Sequence, residues 1–363
     1  MKKLLLILIT FVLTYNISYS QGCVAVRSTG AFCTRQDAGK DSLQGWQLNI
    51  GYRYFHSYKH FVGTEEQKER VEKHTDVRNY QHSIDLSLIK HLNNRWSLAL
   101  NVPILSNSRS SLYEHGGNNA GENARHFTRS FGIGDIRFSA YRWLLDPLKS
   151  SNGNIQIGLG IKLPTGDYKY QDFFYKNDST PVLGPVDQSI QLGDGGTGFT
   201  TEINAYYNFS KTFGVYGNFY YLFNPREQNG VSTARGGTVS AANIANKSTT
   251  MSVPDQYMAR AGGNLTFDRF SVSAGMRMEC VPARDLIGGS NGFRRPGIII
   301  SAEPGVTYIF KKVTAFASVP VAIVRNRTQS VPDKIRTQLT GVKTQGDAAF
   351  ADYLINVGLS FKF

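Results

Sequence analysis

From Tyr353 to Phe363 the chain alternates without a slip. Tyr353, Ile355, Val357, Leu359, Phe361 and Phe363 take every second position, and Leu354, Asn356, Gly358, Ser360 and Lys362 fill the gaps. A period of two over such a length predicts a β-strand with one apolar face and one mostly polar face. Aromatic rings stand at both ends of the apolar face. A strand of this kind needs neighbours of the same pattern on both edges, so the rest of the chain should contain them.

It contains eleven more. Alternating stretches fall at about 46–54, 80–90, 95–104, 131–143, 154–163, 198–208, 213–223, 256–267, 270–280, 297–310 and 313–325. Typical is the run Ile155, Ile157, Leu159, Ile161 and Leu163 set against Gln156, Gly158, Gly160 and Lys162. Pro304 and Pro320 fall inside the tenth and eleventh stretches, where proline marks bulges or breaks in the ladder. The connections alternate between long and short along the chain, and the shortest carry polar breakers such as Asn93-Asn94, Asp268-Arg269 and Lys311-Lys312. Strict alternation of long loops with tight turns is the signature of a transmembrane barrel. Trp46, Trp96, Trp143, Tyr207, Phe213, Phe267, Phe270, Phe310 and Phe363 lie next to the short turns; Tyr54, Tyr80, Phe131, Phe223, Tyr257 and Tyr353 lie at the opposite strand ends. Two aromatic belts are what a bilayer's two interfaces select. The predicted fold class is therefore all-β: an antiparallel transmembrane β-barrel of about 12 strands, with long extracellular loops and short periplasmic turns.

Before the barrel, Lys2 and Lys3 precede an apolar run from Leu4 to Leu13 and small residues at Ser18 and Ser20. That order predicts a signal peptide over residues 1–20, too short for a spanning helix. Residues 21–45 lack a clear period and read as a periplasmic or plug segment, leaving 46–363 as the barrel. An exported chain permits a disulfide between Cys23 and Cys33, which leaves Cys280 as a free thiol. The formal charge is +13, or +11 once Lys2 and Lys3 leave with the signal peptide (13 − 2). Its basic residues are spread over turns and loops, which argues against nucleic-acid binding and allows anionic solutes or lipopolysaccharide as partners.

With apolar faces turned to lipid, solute-handling side chains belong on the inner faces. Those faces offer Arg53, Asp85, Asp135, Arg137, Lys162, Glu202, Arg260, Arg277, Glu279 and Glu303, with Asp352 beside them. Opposite charges two residues apart, as in Asp135/Arg137 and Arg277/Glu279, share one side of a strand. Two readings stay open: a charged constriction that selects what passes, or an internal ion-pair network filling a narrow lumen. No catalytic residue, cofactor or metal is predicted. Ser290-Asn-Gly292 lacks a histidine two residues before it, and the glycine-rich stretches lead into strands instead of the helix that phosphate cradling needs. His56, His60 and His74 could meet a metal in the first loop, but read more simply as solvated loop side chains. The charged run Glu65 to Lys73 predicts a short exposed helix.

The terminal strand resembles the closing strand of bacterial outer-membrane barrels, which implies that Tyr353, Phe361 and Phe363 form a signal for the barrel-assembly machinery. Gly132-Ile-Gly-Asp-Ile-Arg-Phe138, Ile157-Gly-Leu-Gly-Ile-Lys-Leu-Pro-Thr-Gly-Asp167 and Gly193-Asp-Gly-Gly-Thr-Gly198 occur in that order. Together they resemble the meta-pathway phenol-degradation family of outer-membrane barrels. That resemblance, carried by residues 130 to 225, implies an outer-membrane location and a channel or transporter for small solutes, hydrophobic or aromatic ones included. The alternative is a structural or adhesive barrel with a plugged lumen.

Overall fold

The computed structural model describes residues 44–115, 121–150 and 152–363. The predicted signal peptide, nearly all of the predicted periplasmic or plug segment and the expected Cys23–Cys33 disulfide lie outside the described residues. Twelve antiparallel wall strands follow one another in chain order. They are β1 (Gly45–Val62), β2 (Arg78–His91), β3 (Trp96–Leu112), β4 (Arg125–Ile133 and Arg137–Trp143), β5 (Gly153–Lys162) and β6 (Gly198–Asn208). The other half comprises β7 (Phe213–Phe223), β8 (Gln256–Phe267), β9 (Phe270–Val281), β10 (Gly297–Ile309), β11 (Val313–Ser318 and Val321–Arg327) and β12 (Ala348–Lys362). β12 pairs back onto β1 from Gln47↔Lys362 to Phe61↔Ala348, so the sheet closes and the wall has no free edge.

The burial pattern is that of a soluble protein turned inside out. On β5, Leu159 is 61% exposed, while Glu202 on the neighbouring β6 is 4% exposed. Ile84, Leu98, Phe131, Phe199 and Ile203 stand outward in the same way, and Asn101, Asn204 and Asn218 are enclosed. Only lipid outside and a polar interior make both placements favourable. Small residues make room on the inner face. A Cβ added at Gly158 would meet the Tyr141 ring at 2.5 Å, and that tyrosine's hydroxyl donates to Glu202 at 2.8 Å.

Several expectations need correction. β1, β3 and β12 run well beyond the predicted stretches at their extracellular ends, where loops take over the covering that lipid provides lower down. His56 and His60 therefore lie within β1 and not in a solvated loop: His56 stacks on Tyr80 at 4.2 Å, and His60 is buried, accepting the Val77 N–H at Nε2 (2.8 Å). His74 does lie in the loop, exposed, 3.4 Å from Glu122. Trp143 belongs to the inner face, edge-on to Tyr206 at 5.9 Å, because the outward parity of β4 falls on Phe138 and Arg142. β11 breaks at Val319–Pro320, as proline there requires. Pro304 leaves β10 continuous and sits opposite that break, its carbonyl accepting the Val319 N–H at 3.1 Å. The short helix falls at Lys68–Glu72, and Cys280 is buried and forms no disulfide among the described residues.

Candidate functional site: the lumen and the loop across it

β4 is interrupted at Gly134–Ile136, level with the top of β5. The three glycine-rich motifs meet at this interruption. Thr165 accepts the Ile136 N–H and donates to the Gly134 carbonyl, both at 2.9 Å. Asp135 accepts the Gly166 and Asp194 N–H groups at 3.0 and 3.2 Å. A Cβ at Gly193 would lie 2.4 Å from the Asp135 carboxylate, and one at Gly166 would lie 2.5 Å from the Leu192 carbonyl. The glycines are thus needed for close backbone approach, and they mark where the third long loop is fastened to the wall.

From that fastening, residues 186–194 run inside the barrel. Val186, Ile190 and Leu192 are buried, an apolar spacing within a long polar loop. On one side Gln81 donates to the Ser189 carbonyl at 2.6 Å and Asn107 to that of Ile190 at 3.4 Å. On the other side Gln188 donates to the carbonyls of Ser252 and Phe293 at 3.0 and 3.2 Å. The segment therefore lies across the lumen.

Its anchor is Asp187. Arg295 donates to both carboxylate oxygens at 2.9 and 2.8 Å, and Arg109 lies 3.5 Å away. Burial alone would raise the Asp187 pKa, but these two guanidiniums hold it well below the usual carboxylate range. A second buried pair, Arg294 with Asp285 at 2.6 Å, braces the far side. Asp187, Arg295, Arg109 and Arg294 were not predicted as site residues. The only sequence signal for them is the apolar trio in the loop, which a solvated loop would not carry.

Among the described residues, at least two cavities lie along the lumen. One, of about 170 Å³, is bounded by Arg53, Asp85, Arg260, Arg277 and Glu303 in the periplasmic half. The other, of about 140 Å³, is bounded by Asp135, Lys162, Asp194, Arg294 and Arg295 beneath the crossing loop. Arg137 borders both, donating to the Tyr220 hydroxyl at 2.9 Å.

Apart from Asp135, which stands in the break of β4, the predicted inner-face charges come from wall positions that face the lumen, and most are brought together as ion pairs, while Glu202 accepts from the Tyr141 hydroxyl. Arg53 meets Asp85 at 2.8 Å, and Arg277 meets Glu279 at 3.0 Å. Glu303 lies between Arg260 at 3.4 Å and Arg277 at 3.7 Å. Asp352 joins Lys59 and Arg325 at 3.0 and 2.6 Å. The expected Asp135/Arg137 neighbourhood is rearranged: the break in β4 takes Asp135 out of the ladder toward Lys162 at 3.4 Å, and Arg137 turns to Tyr220. Lys162 is also paired with Asp194.

No protein-family profile matches the chain, and neither does any curated protein. Among solved structures, it is similar to an outer-membrane channel from Pseudomonas putida F1, with a TM-score of 0.57 and 12% identity over 90% of this chain and 98% of that one. A Pseudomonas aeruginosa FadL homologue and the Pseudomonas putida toluene transporter TodX each give a TM-score of 0.41 over 95% of this chain and 96% of theirs, at 10% and 8% identity. The first of these is a likeness of fold: the chain has the architecture of an outer-membrane β-barrel.

Proposed function

We propose that this chain is an outer-membrane channel for small solutes, narrowed by its own third long loop, with hydrophobic or aromatic compounds as the candidate cargo. The observation that carries the reading is the pair of cavities in one lumen, lined by both charged and apolar side chains and meeting at Arg137. Each cavity is lined by four cationic and two acidic side chains, most of them held in ion pairs, and the modest positive excess suits small neutral or weakly anionic solutes better than cations. The aromatic cargo rests on the resemblance to the phenol-degradation barrels. Under this proposal residues 1–20 direct export, the chain is not an enzyme, and the assembly machinery reads Tyr353, Phe361 and Phe363.

The ion pairs also favour a second reading, a structural barrel whose lumen is plugged. Swelling of vesicles containing the refolded protein separates the two. A channel admits glycine- and pentose-sized solutes at rates that fall with solute size. A plugged barrel gives no swelling, and gives none after Asp187→Ala cuts the loop anchor.

A further inference from the structure

The outer face of the wall alternates ring and cation at one place. Trp46 on β1, Lys90 on β2, Trp96 on β3 and Arg142 on β4 stand on four consecutive strands, all at the short-turn end. Trp46 is the register partner of Lys90, and Trp96 of Arg142. The Lys90 ammonium lies 4.7 Å from the centre of the Trp46 ring, and the Arg142 guanidinium lies 5.4 Å from that of Trp96. Both tryptophans are about two-fifths exposed (41% and 42%) and share the outward face with Leu98 and Phe138. Between β2 and β3 the turn adds Arg95, exposed, whose carbonyl accepts the Trp143 N–H at 2.9 Å and so fixes it beside the end of β4.

A cation on the outer face of a barrel is unfavourable within hydrocarbon and tolerated only near the interface. Here rings hold two of them at headgroup depth, with a third in the adjoining turn. Every other short turn also carries basic residues: Lys149, Lys211, Arg269 and Lys311-Lys312. The carboxylates on these turns are Asp146 and Asp268. Positive charge is therefore concentrated on the periplasmic rim, the side away from lipopolysaccharide. The ligand such a surface suits is a phosphodiester headgroup, taken by a guanidinium fork and an ammonium while the acyl chains lie along the tryptophans.

We propose that Lys90, Arg95 and Arg142, framed by Trp46 and Trp96, form a binding site for an anionic phospholipid of the periplasmic leaflet. The site depends on the barrel's standing in a bilayer and is independent of what passes through it. It would fix the height of the barrel in the membrane and gather phosphatidylglycerol around this third of the wall.

All three tryptophans of the chain lie at this rim, Trp46 and Trp96 facing lipid and Trp143 facing the lumen, so quenching by a lipid-borne group reads the two that frame the site. The full barrel is refolded into mixed phosphatidylcholine and phosphatidylglycerol vesicles, with bromine on one lipid or the other. A single basic side chain near an anionic surface contributes roughly fivefold and three act here, so brominated phosphatidylglycerol should quench at least about fivefold more per mole than brominated phosphatidylcholine. The excess should shrink toward parity in 1 M salt and in the Lys90→Gln/Arg95→Gln/Arg142→Gln variant. Equal quenching by the two lipids at low salt overturns the proposal, as does a preference that survives the triple substitution. Should that variant fail to assemble, the wild type decides alone: a preference that ignores salt also overturns it.

Discussion

Trp46 and Phe363 exchange two backbone hydrogen bonds, Trp46 N–H to the Phe363 carbonyl at 2.7 Å and Phe363 N–H to the Trp46 carbonyl at 2.9 Å. The first and last wall strands thus meet residue for residue, and the ring closes at its periplasmic rim. The Phe363 ring is 67% exposed, so it adds little to that closure beyond the backbone pair.

Phe363→Ala keeps both hydrogen bonds. Refolding into detergent or lipid should therefore proceed as in the wild type, with stability changed by less than about 1 kcal/mol. In cells the fraction reaching the outer membrane should fall severalfold, because the ring is what the assembly machinery would read. Heat-modifiable migration of membrane fractions measures both quantities, and an unchanged fraction in cells would remove the signal role.

Asp187→Asn leaves the loop's shape intact but removes the charge that holds Arg295 and Arg109. With its anchor weakened, residues 186–194 should spend part of their time out of the lumen. Conductance of the reconstituted barrel should rise about two- to threefold and become noisier, consistent with a lost charged contact of roughly 1–2 kcal/mol. An unchanged conductance would mean that the loop is held by its backbone contacts alone.

The pH response follows from the same carboxylate. Asp187 is held below its ordinary value, so its contribution to the anchor is fully present above about pH 4 and is lost only as pH falls through the depressed folded value. Asp347 behaves alike: burial would raise it, but His60 and Arg70 lower it well below the usual range. Conductance should therefore be flat from pH 8 to about pH 4, with release of the loop confined to stronger acid. A titration midpoint near pH 6 would contradict this assignment.

Glu303 lies between Arg260 and Arg277 and also accepts from Ser318 at 3.2 Å. Glu303→Gln removes the carboxylate that Arg260 faces while Arg277 keeps Glu279, and losing one partner of a buried ion pair costs about 3 kcal/mol. Urea unfolding in lipid vesicles should show that loss with the barrel's β-spectrum preserved. Losses under 1 kcal/mol would indicate that lumen water screens the pair.

How far the fold can be read from the residues depends on where lipid enforces a pattern. β6, β7 and β8 are legible to the residue, since tight polar turns bound them and the bilayer demands alternation throughout. The upper parts of β1 and β3 are not: positions such as Asn107, Arg109 and Ser110 are covered by loops on both sides, so nothing there requires an apolar face. Strand parity identifies the lumen charges but not their partners. Arg260 and Glu303 meet from β8 and β10 with β9 between them, a pairing no local spacing encodes. The loop anchor is harder still, because Asp187 and Arg295 are 108 residues apart and each alone reads as a solvated loop charge.

The central claim is a closed barrel whose lumen is wet and throttled by its own loop. Single-channel recording of the refolded wild-type barrel in a planar bilayer tests it most directly. The account predicts small discrete conductance steps, well below those of a general porin and larger after Asp187→Asn. Inserted, heat-modifiable protein that passes no current in either form would contradict it.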